Sequence, residues 1–215
     1  MELLAIVFAV VGAAWGAAAD RIAARWPAHE DGSIRRVDWR SVVVVAFGLV
    51  SLAAVPIRFG GLEERALFGA FFAACVLMMA TDLDQRVLPN ELTLPLIPIG
   101  LAVLFWGGNS LANRQEWWLP IIVAVALPLG LLVLSRPFGE GAFGEGDVKF
   151  LIGAGLLLGA VRLVLAVFVG VLLGGVVITA LLVARRITLK TFVPYGPFLI
   201  VGVVWGALLP SAAGS

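Results

Sequence analysis

Eight apolar stretches separated by short polar ones constrain this chain more than any other feature. They run roughly over residues 2 to 19, 41 to 57, 66 to 81, 92 to 107, 118 to 135, 149 to 161, 163 to 184 and 193 to 210. A helix needs about 20 apolar residues to cross a bilayer core, with about 17 to 25 the usual range. With 61% of residues hydrophobic and only 13% charged, and a mean hydropathy of +1.06, a soluble core under a solvated surface is excluded. The expected fold is therefore an all-α polytopic membrane protein of about eight transmembrane helices, organised as a single domain over residues 1 to 215. The sixth stretch is short enough for a re-entrant or partly exposed segment. Its boundary with the seventh is placed at Arg162, a lone charge that reads as a turn in a run too long for one span. The first stretch has no basic residues ahead of it and is followed by further spans, so it reads as a retained helix, although Ala17-Ala18-Ala19 superficially resembles a cleavage site.

Orientation follows from the Lys and Arg residues of alternate loops. One side collects eleven: Arg21, Arg25, Arg35, Arg36, Arg40, Arg86, Arg136, Lys149, Arg185, Arg186 and Lys190. The other has four: Arg58, Arg65, Arg114 and Arg162. The richer side is expected to be cytoplasmic, which places both termini outside and puts Asp82 and Asp147 on the cytoplasmic face. Trp26, Trp39, Trp106, Trp117, Trp118 and Trp205 fall near predicted span ends, as an aromatic belt does. The basic residues form short clusters between apolar runs rather than one basic face, so nucleic acid is not an expected partner. The single cysteine, Cys75, lies in an apolar run and can form neither an intrachain disulfide nor a CxxC metal site. Residues 20 to 40 make the longest hydrophilic segment, read as a short cytoplasmic loop, solvated and with an amphipathic edge. Gly170, Gly174 and Gly175 give the seventh stretch a small-residue spacing suited to close helix packing.

The acids at span edges carry the chemistry. Gly144-Glu145-Gly146-Asp147 stands directly ahead of an apolar run. The two glycines permit backbone angles that residues with a Cβ resist, and an Asp before a helix also suits an N-cap. Asp82 and Asp84 lie in TDLDQRVLPNELTLP, where one apolar run ends and the next begins. Desolvating a carboxylate costs several kcal/mol unless compensated, so an acid at the edge of a span is a functional candidate. For Asp84 the structural reading is preferred, a polar turn in which it pairs with Arg86. For Asp82 the functional one is preferred. Two carboxylates converging from different segments suggest an aspartic dyad, in which like charges at short range cannot both ionise. The ionised member takes a proton from water while the protonated one polarises a carbonyl. No metal is needed in that scheme. His29, the only histidine, stands in a loop, there is no HExxH, and no Ser or Cys accompanies a histidine at motif spacing.

TDLDQRVLPNELTLP, followed by FGEGDVKFLIGAGLLLG and then PYGPFLIVGVVW, resembles the type IV prepilin peptidases, the GxGD-type intramembrane aspartic proteases, in a short form. GAAADRIAARWP is a looser match to that family's GSFLNxxIxRLP segment. The resemblance covers most of the chain, with its three internal motifs in the family's order. It implies an aspartic endopeptidase in the inner membrane that removes, at the cytoplasmic face, the short basic leader of a prepilin or pseudopilin precursor whose N-terminal helix lies in the bilayer. It places the catalytic pair on Asp82 and Asp147, with Gly144 and Gly146 shaping the loop. Lys149 falls at the family's basic position. Asp84, Arg86, Asn90, Pro194 and Gly196 fall at candidate substrate-site positions, Pro194 and Gly196 in a segment that reads equally as a turn before the last span. Two departures matter. The zinc-binding loop with two CxxC pairs that many family members carry is absent, and Asp20 stands where the family has Asn; both put in doubt the family's second activity, methylation with S-adenosylmethionine. Glu145 adds a third acid beside the pair, suited to raising the pKa of Asp147 or to binding a basic leader. Two other readings stay open on the residues alone: a secondary transporter or channel using the same acids for protons or cations, and a noncatalytic assembly factor.

Overall fold

The computed structural model describes residues 2–28, 34–106, 111, 117–135, 143–188 and 193–210. These residues form helices α1 (Glu2–Ala23), α2 (Trp39–Arg58), α3 (Leu62–Gln85), α4 (Asn90–Phe105), α5 (Trp118–Ser135), α6 (Glu145–Leu158), α7 (Ala160–Val183) and α8 (Gly196–Leu208), and no strand among them. The protein is an all-α polytopic membrane protein. Five helices, α1, α2, α3, α5 and α7, are long and apolar enough to cross a bilayer, and α4 and α8 are shorter apolar helices. With 14 residues at about 1.5 Å each, α6 reaches about 21 Å against a core of about 30 Å. It is too short to span that core alone, and most of it is buried rather than partly exposed. The chain divides into two compact units, one of residues 1–92 with 210–215 and one of residues 93–209; α4 begins in the first and runs into the second.

In the first unit α1 and α2 cross with their backbones in contact. A Cβ on Gly12 would collide with the Gly48 carbonyl, and one on Gly48 with the Gly12 carbonyl, while one on Gly16 would meet Val45 Cα at 2.7 Å. Where lipid tails are as apolar as the helices, such close approach supplies the packing attraction that holds helices together. Trp15, in mid-helix on α1, donates from Nε1 to the Ala73 carbonyl of α3 at 2.8 Å. At the α2–α3 turn Phe59 stacks on Phe68 with centroids 4.2 Å apart, and Arg65 Nε donates to the Phe59 carbonyl at 2.7 Å. Asp38 caps α2: its side chain accepts from the Arg40 N–H at 2.9 Å, and Ser41 Oγ accepts from the Asp38 N–H at 3.3 Å. These bonds satisfy backbone donors that a helix start leaves without intrahelical partners.

In the second unit the glycines of α7 and α8 do the same work. Cβ atoms on Gly170 and Gly174 would press on Leu199 and Tyr195, and one on Gly202 would collide with the Ala166 carbonyl. Gly175 does not take part, since a Cβ there meets nothing within 4 Å. Two of the three glycines in the α7 spacing are thus contact positions. Gly100 on α4 and Gly153 on α6 make another close crossing, and Gly155 approaches Ala124 of α5.

The break between the sixth and seventh segments lies at Gly159 rather than at Arg162. Gly159 has φ 85°, a left-handed value that favours glycine, and α7 begins immediately after it. Arg162 is buried within α7, where its Nη1 donates to the carbonyls of Gly206 at 3.0 Å and Leu209 at 2.7 Å. A cation at the C-terminal end of α8 satisfies carbonyls that have no intrahelical donor and complements the negative pole of that helix.

Candidate active site

Asp82 belongs to the first unit and Asp147 to the second, and each lies in a terminal turn of its helix. Asp82 stands in the last turn of α3 and is 5% exposed. Its carbonyl accepts from the Arg86 backbone N–H at 2.9 Å, and Arg86, in the left-handed conformation at φ 58°, ends the helix. Arg86 thus closes α3 with its backbone, while its side chain is exposed. Asn90, also exposed, opens α4.

Asp84 departs from its expected setting. Only 3% of its side chain is exposed, and its Oδ1 lies 3.1 Å from Arg40 Nη1 and 2.8 Å from Arg35 Nε. The Arg40 contact is a hydrogen bond. The Arg35 contact is an ion pair off the line of one. The segment read from sequence as a solvated loop also differs: α1 extends to Ala23, and Arg35, 10% exposed, ion-pairs with Asp20 and Asp38 as well as Asp84. Asp20 also accepts from Arg21 and, at 2.8 Å, from Ser41 Oγ. Burial alone disfavours the Arg35 cation, but its bond to Asp20 and the charges of Asp20, Asp84 and Asp38 more than offset this and raise its pKa. Sequence reasoning missed the network. The signal available was an acid at the end of an apolar span facing an arginine-rich loop, which does not say which arginine turns inward.

On α6 the N-cap is Gly144 rather than Asp147. Asp147 sits three residues into the helix, 9% exposed, and its Oδ2 accepts from the Gly144 N–H at 2.9 Å. The acid thus caps the helix backwards, as the third-position carboxylate of a capping box does. Neither Gly144 nor Gly146 has a positive φ, Gly159 being the one described glycine that does, so the tight turn expected of the glycine pair is not what they provide. Asp147 precedes the apolar segment 149 to 161, on a helix too short to span. Burial pushes its carboxyl up to about 6, against the opposing effect of the Gly144 N–H. Glu145 points outward, 85% exposed, and lies 3.6 Å from Lys149 one turn on, an exposed pair of low energetic worth. Pro194 precedes α8, which opens at Gly196 with Pro197 in its first turn. Tyr195 donates from its hydroxyl to the Val171 carbonyl at 3.2 Å. Among the described residues no group of three or more His, Cys, Asp or Glu side chains could hold a metal ion.

A sequence profile described as the type IV leader peptidase family matches residues 69–179, a stretch that contains both Asp82 and Asp147. The chain belongs to the type IV leader peptidase family. Its relatives include proteins named prepilin leader peptidase/N-methyltransferase. The one from Burkholderia pseudomallei is 31% identical over 176 residues, 76% of this chain and 54% of the relative. The one from Bacillus subtilis is 26% identical over 152 residues, 71% and 59%. The one from Aeromonas salmonicida is 32% identical over 136 residues, 60% and 43%. The chain thus spans about half the length of these relatives. No solved structure matches. Family membership agrees with the motif resemblance.

Proposed function

We propose that this leader peptidase family member is an aspartic endopeptidase that removes the short basic leader of prepilin or pseudopilin precursors at the cytoplasmic membrane face, with Asp82 and Asp147 as the catalytic pair. The observation that carries the reading is the state of these two acids. Each is a largely buried carboxyl in a terminal turn of a helix, and both lie inside the family-matched stretch. A buried acid at a helix end can meet water from the membrane surface, whereas an ion relay through the bilayer calls for acids at mid-span. That placement supports hydrolysis over transport.

In the proposed reaction one carboxylate removes a proton from water as the water oxygen attacks the scissile carbonyl carbon. The other, protonated, carboxyl donates to the carbonyl oxygen, giving a neutral tetrahedral diol. The C–N bond then breaks as the carboxyl that took the water proton gives it to the departing amine and a diol hydroxyl returns its proton to the other carboxylate, so the pair again shares one proton. Burial favours the protonated form of Asp147 up to about pH 6, which suits it to the acid role below that pH. A Cβ on Gly144 would meet Asp147 Oδ2 at 3.5 Å and the Gly146 N at 3.9 Å, so the glycine leaves the space beside that carboxyl free. The exposed Glu145 offers a negative charge to the basic leader.

The relatives' names also include an N-methyltransferase. Here the polar site nearest the chain's N-terminal segment is already satisfied: one Asp20 oxygen is taken by Arg35, the other by Arg21 and Ser41. No step is assigned to S-adenosylmethionine. The test is incubation of the purified protein with a pilin precursor in detergent. Cleavage is expected from the parent and a loss of at least about 100-fold, the scale of positioned acid or base groups, in both Asp82→Asn and Asp147→Asn. Unchanged cleavage in either variant overturns the assignment.

A further inference from the structure

Two carboxylates close the C-terminal turn of α3, and that turn contains no basic residue. Both charges also face the negative pole of their own helix, an unfavourable placement. Compensation has to come from other segments, and the structure shows its source. Arg35 directs its three nitrogens at three acids: Nη2 at Asp20 on α1, Nη1 at Asp38, the cap of α2, at 2.7 Å, and Nε at Asp84 on α3 at 2.8 Å. Arg40 adds a second guanidinium to Asp84 at 3.1 Å, and Arg21 adds one to Asp20. Three acids are thus matched by three arginines where three helix ends meet, and the planar fork of arginine makes one residue able to serve three partners.

We infer that Arg35 is a positioning residue for Asp82, acting through Asp84. Residues two apart on a helix point about 200° from one another, so a buried Asp84 carboxylate left under-compensated would draw the last turn of α3 round toward water and Asp82 with it, and the charges of Arg35 and Arg40 beside Asp84 prevent that rotation. The same contacts neutralise Asp84, so its charge does not add to that of Asp82. Among the described residues, the charged groups tied to this turn include Asp20 and Arg21 from α1, Arg35 and Asp38 from the segment before α2, Arg40 from α2, and Arg86 of the turn itself. Asp84 is thereby a buttress rather than a substrate contact. The catalytic part of this inference rests on the peptidase reading; the positional part does not.

The two parts are separable by experiment. In cleavage assays Arg35→Gln is expected to lower kcat about tenfold or more while KM changes less than about threefold, the pattern of a lost transition-state geometry. Adding Asp84→Asn removes the carboxylate left under-compensated and is expected to restore most of the lost kcat. Arg35→Lys restores little, because one ammonium cannot meet three acids. A network that merely staples the fold predicts the opposite for the double variant, which loses one more partner. For the positional part, Asp82→Cys in a Cys75→Ser background is labelled with a charged maleimide. Adding Arg35→Gln is expected to change the labelling rate about tenfold, and adding Asp84→Asn to reverse that change. If Arg35→Gln yields no folded protein, Arg40→Gln carries the same comparison with a smaller, about threefold, effect. Labelling unaffected by the arginine variants, or a double variant no better than the single one, overturns the inference. A parent that does not cleave, with labelling that responds as expected, overturns the peptidase reading alone.

Discussion

The end of α3 and the start of α6 each hold a buried aspartate, and they hold it by opposite means. Asp147 stands at the positive pole of its helix and accepts a backbone N–H from Gly144, so local structure favours its ionised form, yet burial outweighs that and raises its pKa to about 6. Asp82 stands at the negative pole of α3, two residues from a second acid whose charge is balanced by Arg35 and Arg40 from outside the helix. The hydrogen bond of Asp147 comes from its own helix start, and its burial from the packing around it. The setting of Asp82 depends on three segments brought together by folding. The two like groups thus sit in unlike surroundings, a difference of the kind by which protein environments set carboxyl groups apart.

The largest expected effect that probes this contrast is on stability at α6. The folded-state pKa of Asp147, about 6, exceeds the ordinary 3.8, so the folded protein holds the proton more tightly. The stability this contributes is fully present below about pH 4 and is lost as pH rises through about 6. Asp147→Asn, which never ionises, is expected to unfold at the same temperature as the parent near pH 3.5 and at a higher one above pH 6. The gain is on the order of 3 kcal/mol at most, since each tenfold difference in proton affinity between the folded and unfolded chain is worth about 1.4 kcal/mol. Thermal unfolding in detergent measures it, and a gain independent of pH would remove burial as the cause.

A smaller effect belongs to α3. Arg86 takes a left-handed φ of 58° to close that helix, a conformation in which glycine has no Cβ penalty. Arg86→Gly is expected to raise stability by up to about 1 kcal/mol and to leave cleavage within about twofold, since the closing bond comes from the backbone. A large loss of cleavage would assign the exposed guanidinium to substrate.

The smallest concerns Gly144, whose added Cβ would meet Asp147 Oδ2 at 3.5 Å, ordinary contact. Gly144→Ala is expected to change thermal stability by less than about 0.5 kcal/mol. A loss several times larger would show that α6 needs a glycine cap.

What the sequence makes legible follows the same division. The helices are visible in it because a bilayer demands long apolar runs, and their observed limits depart by a few residues at ends where polar and apolar residues mix, as where α1 continues through Asp20 to Ala23. The hydrogen bond that Asp147 accepts is local, from Gly144 three residues earlier, although the cap itself is Gly144 rather than the acid. The break at Gly159 is displaced to Arg162 in the sequence reading, because a buried charge whose partners are carbonyls 44 and 47 residues away looks in sequence like a charge seeking water. The setting of Asp84 is unreadable for a related reason: Arg35 and Arg40 reach it from 49 and 44 residues earlier, whereas Arg86 is adjacent. Gly12, Gly16 and Gly48 carry a helix crossing whose small-residue spacing on α1 the sequence also contains, without naming the partner helix.

The central claim is that Asp82 and Asp147 serve one reaction, and the most direct measurement asks whether the two positions meet in the membrane-embedded protein. Cys75 is the chain's one cysteine, so Cys75→Ser gives a clean background in which Asp82→Cys and Asp147→Cys can be joined by a short bifunctional thiol reagent and the product read by mass spectrometry. The account predicts an intramolecular cross-link in high yield from the double-cysteine protein. Two singly modified cysteines with no cross-link would contradict it.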